Sequence, residues 1–212
     1  MSIPETERVV RTIAETAIAN ERFFGDLDSV VGDGDFGYSL ARGFEKLLEG
    51  WDELDRSSDG AFLKRTGMVI ASRIGGTSGP LWGTAFLRAG MAADGTDVDG
   101  TDVVGMLRAA IEGIKQRGRS DVGDKTLLDA LVPYTDRLER ELGRGAGVRE
   151  ALRAAAATAR EAADATGGMV AKRGRASYTG ERSRGSVDAG AVAVAVLAER
   201  VSETWSSQGA AS

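Results

Sequence analysis

The chain has 212 residues, 42% apolar and 28% charged, with a net charge of −5. That suffices for one domain with a sizeable core, excludes wholesale disorder, and argues against a nucleic-acid binder. There is no Cys and no His, which removes disulfides, thiolate and imidazole metal sites, iron–sulfur clusters, Ser-His-Asp catalysis and any phosphohistidine on this chain. The opening MSIPETERVV lacks the basic-then-apolar pattern of a secretory signal. No apolar run approaches the roughly 18 residues that a membrane span needs. A cytoplasmic protein with no membrane contact is expected, and its chemistry must rest on carboxylates, Lys and Arg, hydroxyls and backbone amides, with a hard metal ion as the one kind of metal these groups suit.

Taken in chain order, the apolar pattern is helical. Val9, Val10, Ile13, Ala17 and Ile18 share a face near the start, as do Leu40, Phe44, Leu47 and Leu48. Val103, Val104, Leu107, Ile111 and Ile114 repeat at helical spacing. Leu127, Leu128, Leu131, Leu138 and Leu142 form a further stripe in which Pro133 predicts a kink. The segment 147–166 is rich in Ala and suited to close packing. Ala191 to Val196 alternates like a strand, but Val194, Leu197, Val201 and Trp205 continue at helical spacing, and length favours a helix. The pattern predicts eight helices, at about 5–24, 36–50, 58–74, 79–93, 100–117, 124–142, 147–166 and 187–206. No linker splits the chain, so a single domain over 1–212 is expected.

Glycine, 29 residues in all, is about twice its usual ~7% share and clusters at 32–37, 75–83 and 167–190. The first cluster carries Asp28, Asp33 and Asp35, three carboxylates that repel one another unless a cation or solvent compensates. Gly32, Gly34 and Gly37 allow them to converge, and an all-oxygen donor set suits Mg²⁺, Ca²⁺ or Mn²⁺. A solvated acidic turn with Asp35 capping a helix fits the same residues. Three familiar motifs fail here. An EF-hand loop lacks its Gly and Glu, a dinucleotide fingerprint lacks its βαβ context, and a protein-kinase glycine loop would need a later catalytic-loop His.

The second cluster, Gly75-Gly76-Thr77-Ser78-Gly79-Pro80, sets two hydroxyls before a helix start, an arrangement suited to phosphate or to an ordinary turn. Gly123-Asp124-Lys125-Thr126 resembles a P-loop, but Asp stands where Lys is required and a helix precedes it, so a helix cap is the sufficient reading. The last cluster places five basic residues and one Glu in 172–184. It is either a solvated basic loop or a phosphate clamp in which Arg offers a bidentate fork.

In this order, the Asp28/Asp33/Asp35 loop, GGTSGPLWGTAFLRAG, GDKTLLDALVP and GRASYTGERSRGSVDAGA resemble the L subunit of bacterial dihydroxyacetone kinases, along nearly the whole chain. The resemblance implies an all-α closed barrel of eight antiparallel helices with a nucleotide at one end. It implies that Asp28, Asp33 and Asp35 hold Mg²⁺, usually two ions, bridging the phosphates of ADP or ATP. Phe36, Gly37, Tyr38, Ser39, Thr77 and Ser78 would meet the phosphates. Gly118 and Leu127 would sit by the adenosine, and Arg175, Asp188, Ala189 and Gly190 would close over the nucleotide. A separate K-type subunit would hold a small ketose on its own His. The donor would be either a phosphohistidine protein of the phosphotransferase system or ATP exchanging from solution. The same family implies two further roles: a kinase subunit for another ketose such as a tetrulose, and a nucleotide-dependent regulatory partner. Segment 167–186 would be a mobile lid that orders on nucleotide. Two positions depart from the family pattern: Phe36 replaces a frequent His, and Asp188-Ala189-Gly190 replaces Asp-Pro-Gly.

Overall fold

The structure, a computed structural model, describes residues 3–73, 78–93 and 100–207. These residues form nine α-helices and no strand: α1 (Ile3–Ala19), α2 (Glu21–Ser29), α3 (Phe36–Glu49), α4 (Asp59–Arg73), α5 (Ser78–Ala92), α6 (Gly100–Gly118), α7 (Leu128–Gly143), α8 (Val148–Ala165) and α9 (Ala189–Ser207). The all-α class is as expected, and the Ala/Val alternation after Gly190 is helical. The additional helix arises where one helix was expected over 5–24. Asn20 ends α1 there, its side-chain amide donating to the Thr16 carbonyl at 2.8 Å beside its own backbone N–H at 3.1 Å. A short polar side chain that competes for backbone acceptors in this way breaks the run, and α2 sets off anew to bury Phe24. Pro133 lies inside α7 rather than ending it.

The chain forms two compact units. One comprises the residues up to Glu21 together with Tyr38–Arg119; the other comprises Arg22–Gly37 and the chain from Ser120 onward. In the first, Trp51 meets Phe62 edge-on at 5.5 Å and Arg11 lies 4.3 Å over the Trp51 ring. Helices α4 and α5 approach backbone to backbone at Gly67, where a Cβ would lie 2.7 Å from the Gly83 carbonyl oxygen. In the second unit, α8 turns Ala151, Ala155, Ala156, Ala159 and Ala163 inward, and small side chains let helices pack closely. Arg160 on α8 grips Glu199 on α9 through two bonds, of 2.8 and 2.7 Å.

Gly67→Ala should destabilise the protein, although Ala is favoured over Gly inside a helix by about 1 kcal/mol. The added methyl meets backbone atoms that cannot rotate away, and overpacking costs typically ~1–3 kcal/mol. Urea unfolding should show a lower midpoint for the variant; a raised midpoint would contradict the close approach.

Candidate functional site

The acidic loop joins α2 to α3 within the second unit. The Asp28 carbonyl accepts from Val31 and Gly32, at 3.3 and 2.6 Å, which folds the chain back sharply. A Cβ at Gly32 would lie 2.3 Å from Asp28 Oδ1, so only glycine leaves room for that carboxylate to turn inward. Gly34 adopts φ +76°, a left-handed conformation that suits glycine, and swings Asp33 and Asp35 to the same side. One carboxylate oxygen each from Asp28, Asp33 and Asp35 lies within 4.8 Å of the others. Asp28 is half-buried and the other two are exposed.

Positive charge favours this convergence, and the protein supplies some itself. The Arg175 guanidinium contacts Asp33 and lies 3.6 Å from Asp35. Arg175 opens the run of tight turns Arg175–Ser183, broken at Gly180, where φ is 58°. The segment carries hydrogen bonds of its own. Ser183, fully buried, donates to the Gly180 carbonyl at 2.6 Å and accepts from the Ala171 amide at 2.9 Å. Gly185 N–H meets the Gly167 carbonyl at 2.8 Å, and the buried Thr166 hydroxyl accepts from the Asp188 amide at 2.8 Å.

Asp188 starts α9 by accepting the Ala191 amide at 2.7 Å. Burial raises its pKa to about 7, opposed by the Ala191 N–H, with the charges of Asp129 and Asp28 raising it further and Lys125 lowering it. Gly190 and Leu127 are neighbours, since a Cβ at Gly190 would stand 3.4 Å from Leu127 and 3.1 Å from Asp188 Oδ2. Ala189, half-buried, is the first residue of α9.

The second unit therefore gathers two groups of the expected residues, Asp28, Asp33 and Asp35 with Arg175, and Leu127 with Asp188 and Gly190. The remaining residues are placed as follows. Phe36 begins α3, but its ring is buried against Phe24 at 6.1 Å, and its amide points to Asp28 Oδ2 at 3.4 Å. Gly37 is buried in the same first turn. In the other unit, Tyr38 is exposed beside Arg42, Ser39 is half-buried, Ser78 opens α5, and Gly118 closes α6. Thr77 lies outside the described residues.

Two residues escaped the sequence reading. Asp129 accepts the Gly123 amide at 2.5 Å and the Thr126 amide at 2.7 Å. Its spacing from Thr126 is that of a capping box, a signal present in the sequence. Lys125 is 2% exposed and donates to the carbonyls of Met169, Ser183 and Ser186. Burial pushes its ammonium below the usual lysine range, partly offset by the Asp188 charge, while Arg184 adds to the lowering. No helix among the described residues is long and apolar enough to cross a membrane.

The donor chemistry of the acidic loop fits Mg²⁺, for it offers carboxylate oxygens without nitrogen or sulfur. Comparison with known proteins points the same way. The DAK2 domain family matches residues 30–203. The chain is 35% identical to the ADP-binding subunit DhaL of a PEP-dependent dihydroxyacetone kinase of Listeria innocua, over 93% of this chain and 94% of that protein. It is 38% identical to an L-erythrulose 1-kinase of Mycolicibacterium smegmatis over 92% of its own length, although it spans only 34% of that enzyme. Among solved structures, it resembles the native dihydroxyacetone kinase of C. freundii with a TM-score of 0.76 and 25% identity, covering 94% of this chain and 34% of that one.

The raised pKa of Asp188 makes the stability of the fold depend on pH. Between its ordinary value near 3.8 and about 7, the folded state holds a proton that the unfolded state has released. This contribution to stability is complete at low pH and is lost as pH rises to about 7. With chelator present, the difference in stability between the wild type and Asp188→Asn should shift against the wild type from pH 4.5 to 7.5. Parallel pH profiles of the two proteins in urea unfolding would show that Asp188 is not buried as described.

Proposed function

The chain belongs to the DAK2-domain family of dihydroxyacetone kinase nucleotide-binding subunits, and we propose that it holds Mg²⁺ with ADP or ATP for phosphoryl transfer to a small ketose on a separate K-type subunit. The observation that carries this reading is the convergence of Asp28, Asp33 and Asp35 beside Arg175. In this reading the whole chain, over 1–212, works as one domain; the family match across residues of both units supports it. A cytoplasmic location accompanies it.

The three carboxylates hold the metal, which supplies charge neutralisation to the phosphates. The first-turn amides of α3, from Phe36 to Ser39, are donors of the kind that suit anions, that of Phe36 being shared with Asp28 Oδ2. The hydroxyls of Ser39, Thr77 and Ser78 add further donors. Gly118 and Leu127 flank the adenosine. Arg175 turns its fork from the carboxylates toward phosphate, and Asp188, Ala189 and Gly190 close the site. The Phe36 ring is committed to Phe24, so this position contributes its backbone alone.

In the transfer, the terminal phosphorus leaves the bridging oxygen of ATP and bonds to the ketose hydroxyl oxygen; ADP remains, and the hydroxyl proton departs on the partner's side. Positioning and electrostatics are what phosphoryl transfer asks of this chain. The nucleotide is recharged by a phosphohistidine donor protein or exchanged for ATP; the name of the Listeria relative supports the former. Dihydroxyacetone is the ketose of this reading. The 38% identity to an L-erythrulose 1-kinase supports a tetrulose as the second.

Asp33→Ala should abolish Mg·ADP binding in calorimetry, and phosphoryl transfer with a K-type partner, while the circular dichroism remains helical. Unchanged Mg·ADP affinity in that variant would show the metal assignment to be wrong. A hydrogen bond to a charged group is worth about 1.5–3 kcal/mol, so Arg175→Ala should weaken ADP binding roughly 10- to 150-fold. Arg175→Lys should recover only part, because an ammonium lacks the bidentate fork.

A further inference from the structure

The ammonium of Lys125 is a buried charge that, among the described residues, faces no carboxylate at hydrogen-bonding distance. Its three N–H donors meet three backbone carbonyls, Met169 at 3.2 Å, Ser183 at 2.5 Å and Ser186 at 2.6 Å. A lysine has three donors and no acceptor, so the set is complete. All three carbonyls belong to one segment, and they bracket the turns that carry Arg175. Lys125 also adopts φ 62°, the left-handed region that residues other than glycine avoid, so the backbone is held in an unfavoured conformation to aim this side chain.

The loop bearing Lys125 is itself braced. Asp129 fixes it through the Gly123 and Thr126 amides. Asp124 accepts the Asp121 amide at 3.1 Å, while its backbone carbonyl takes the Lys172 amide at 3.0 Å. The Asp124 carboxylate also pairs with Lys172 at 3.6 Å and Arg173 at 3.3 Å. The braced loop therefore grips the segment on both sides of Arg175.

We propose that Lys125 is a positioning residue for nucleotide binding: its buried ammonium pins the segment 169–186 and thereby aims Arg175 at the metal and phosphate site. This rests on the reading that Arg175 meets the phosphates. Because Lys125 acts through Arg175, its loss can cost no more in affinity than the loss of Arg175 itself.

The test pairs amide hydrogen exchange on the nucleotide-free protein with Mg·ADP calorimetry. In Lys125→Met, amides of 171–186 should exchange at least tenfold faster than in the wild type. Mg·ADP affinity should fall tenfold or more in the wild-type background but less than twofold in the Arg175→Ala background. The chain has no cysteine, so Lys125→Cys can be alkylated at a single thiol with bromoethylamine while unfolded, then refolded. Restoring the ammonium in this way should recover both protection and affinity. Should Lys125→Met fail to fold, Lys125→Gln, which keeps two donors, carries the same comparison. Unchanged exchange would overturn the pin, and equal affinity losses in both backgrounds would overturn its action through Arg175. If Arg175→Ala alone leaves Mg·ADP affinity unchanged while Lys125→Met still loosens the segment, the phosphate reading fails, and with it the positioning role.

Discussion

Three carboxylates brought within 4.8 Å of one another repel, and much of the second unit follows from what that repulsion demands. At an effective dielectric of about 20, two unit charges at 4 Å interact by roughly 4 kcal/mol, less where solvent screens the exposed Asp33 and Asp35. An opposite charge must offset this, and Arg175 provides it from a segment more than a hundred residues away in sequence. The same guanidinium suits phosphate. One arginine thus has two partners of the same sign of charge. A divalent ion that satisfies the carboxylates frees it for the other. In the proposed reading, metal and nucleotide binding are coupled through that exchange, since each removes a competitor of the other.

An arm that exchanges partners needs a fixed base. The Arg175 segment is glycine-rich and forms only short tight turns, elements that confer little rigidity by themselves. Its rigidity is borrowed from side chains: Ser183 and Thr166, both fully buried, and the Lys125 ammonium. A buried amine is costly unless every donor is met. Backbone carbonyls meet these donors without adding negative charge near the carboxylates. A carboxylate partner in the same place would have added to the charges of Asp129 and Asp28, which together with burial, the larger cause, raise the Asp188 pKa.

What could be read beforehand divides along physical lines. Helical periodicity is a local property, and the helices from α3 to α9 lie close to their expected bounds. The acidic loop was legible too, because Gly32 and Gly34 stand between the carboxylates they allow to converge. The division of the first helix was missed because its cause is one side chain, Asn20, outcompeting the backbone. Lys125 was missed because a cage of carbonyls has no sequence signature. Its partners are backbone atoms 44 to 61 residues away, whose residue types are irrelevant to the bond. The expectation of a mobile lid rested on glycine content, which the sequence displays, whereas the tethers of the segment have no such signature. The nucleotide contacts expected of Ser39 and Gly118 came from resemblance alone, whereas Thr77 and Ser78 were also marked by the Gly-rich turn before a helix start.

The absence of histidine then acquires a physical meaning. Phosphoryl transfer through a loose transition state needs little covalent chemistry from the protein that holds the donor. It needs charge placed where the equatorial oxygens will be, and it needs that charge to stay in position. Carboxylates with a hard cation, helix-terminal amides and a pinned arginine meet both requirements without a group that titrates near neutral pH, except Asp188. In the proposed reading, the proton of the accepting hydroxyl is removed on the side that binds the ketose, which assigns general-base chemistry to the partner. A chain relieved of proton transfer can place its ionisable groups for electrostatics alone, and the site built around Asp28, Asp33, Asp35 and Arg175 has that character.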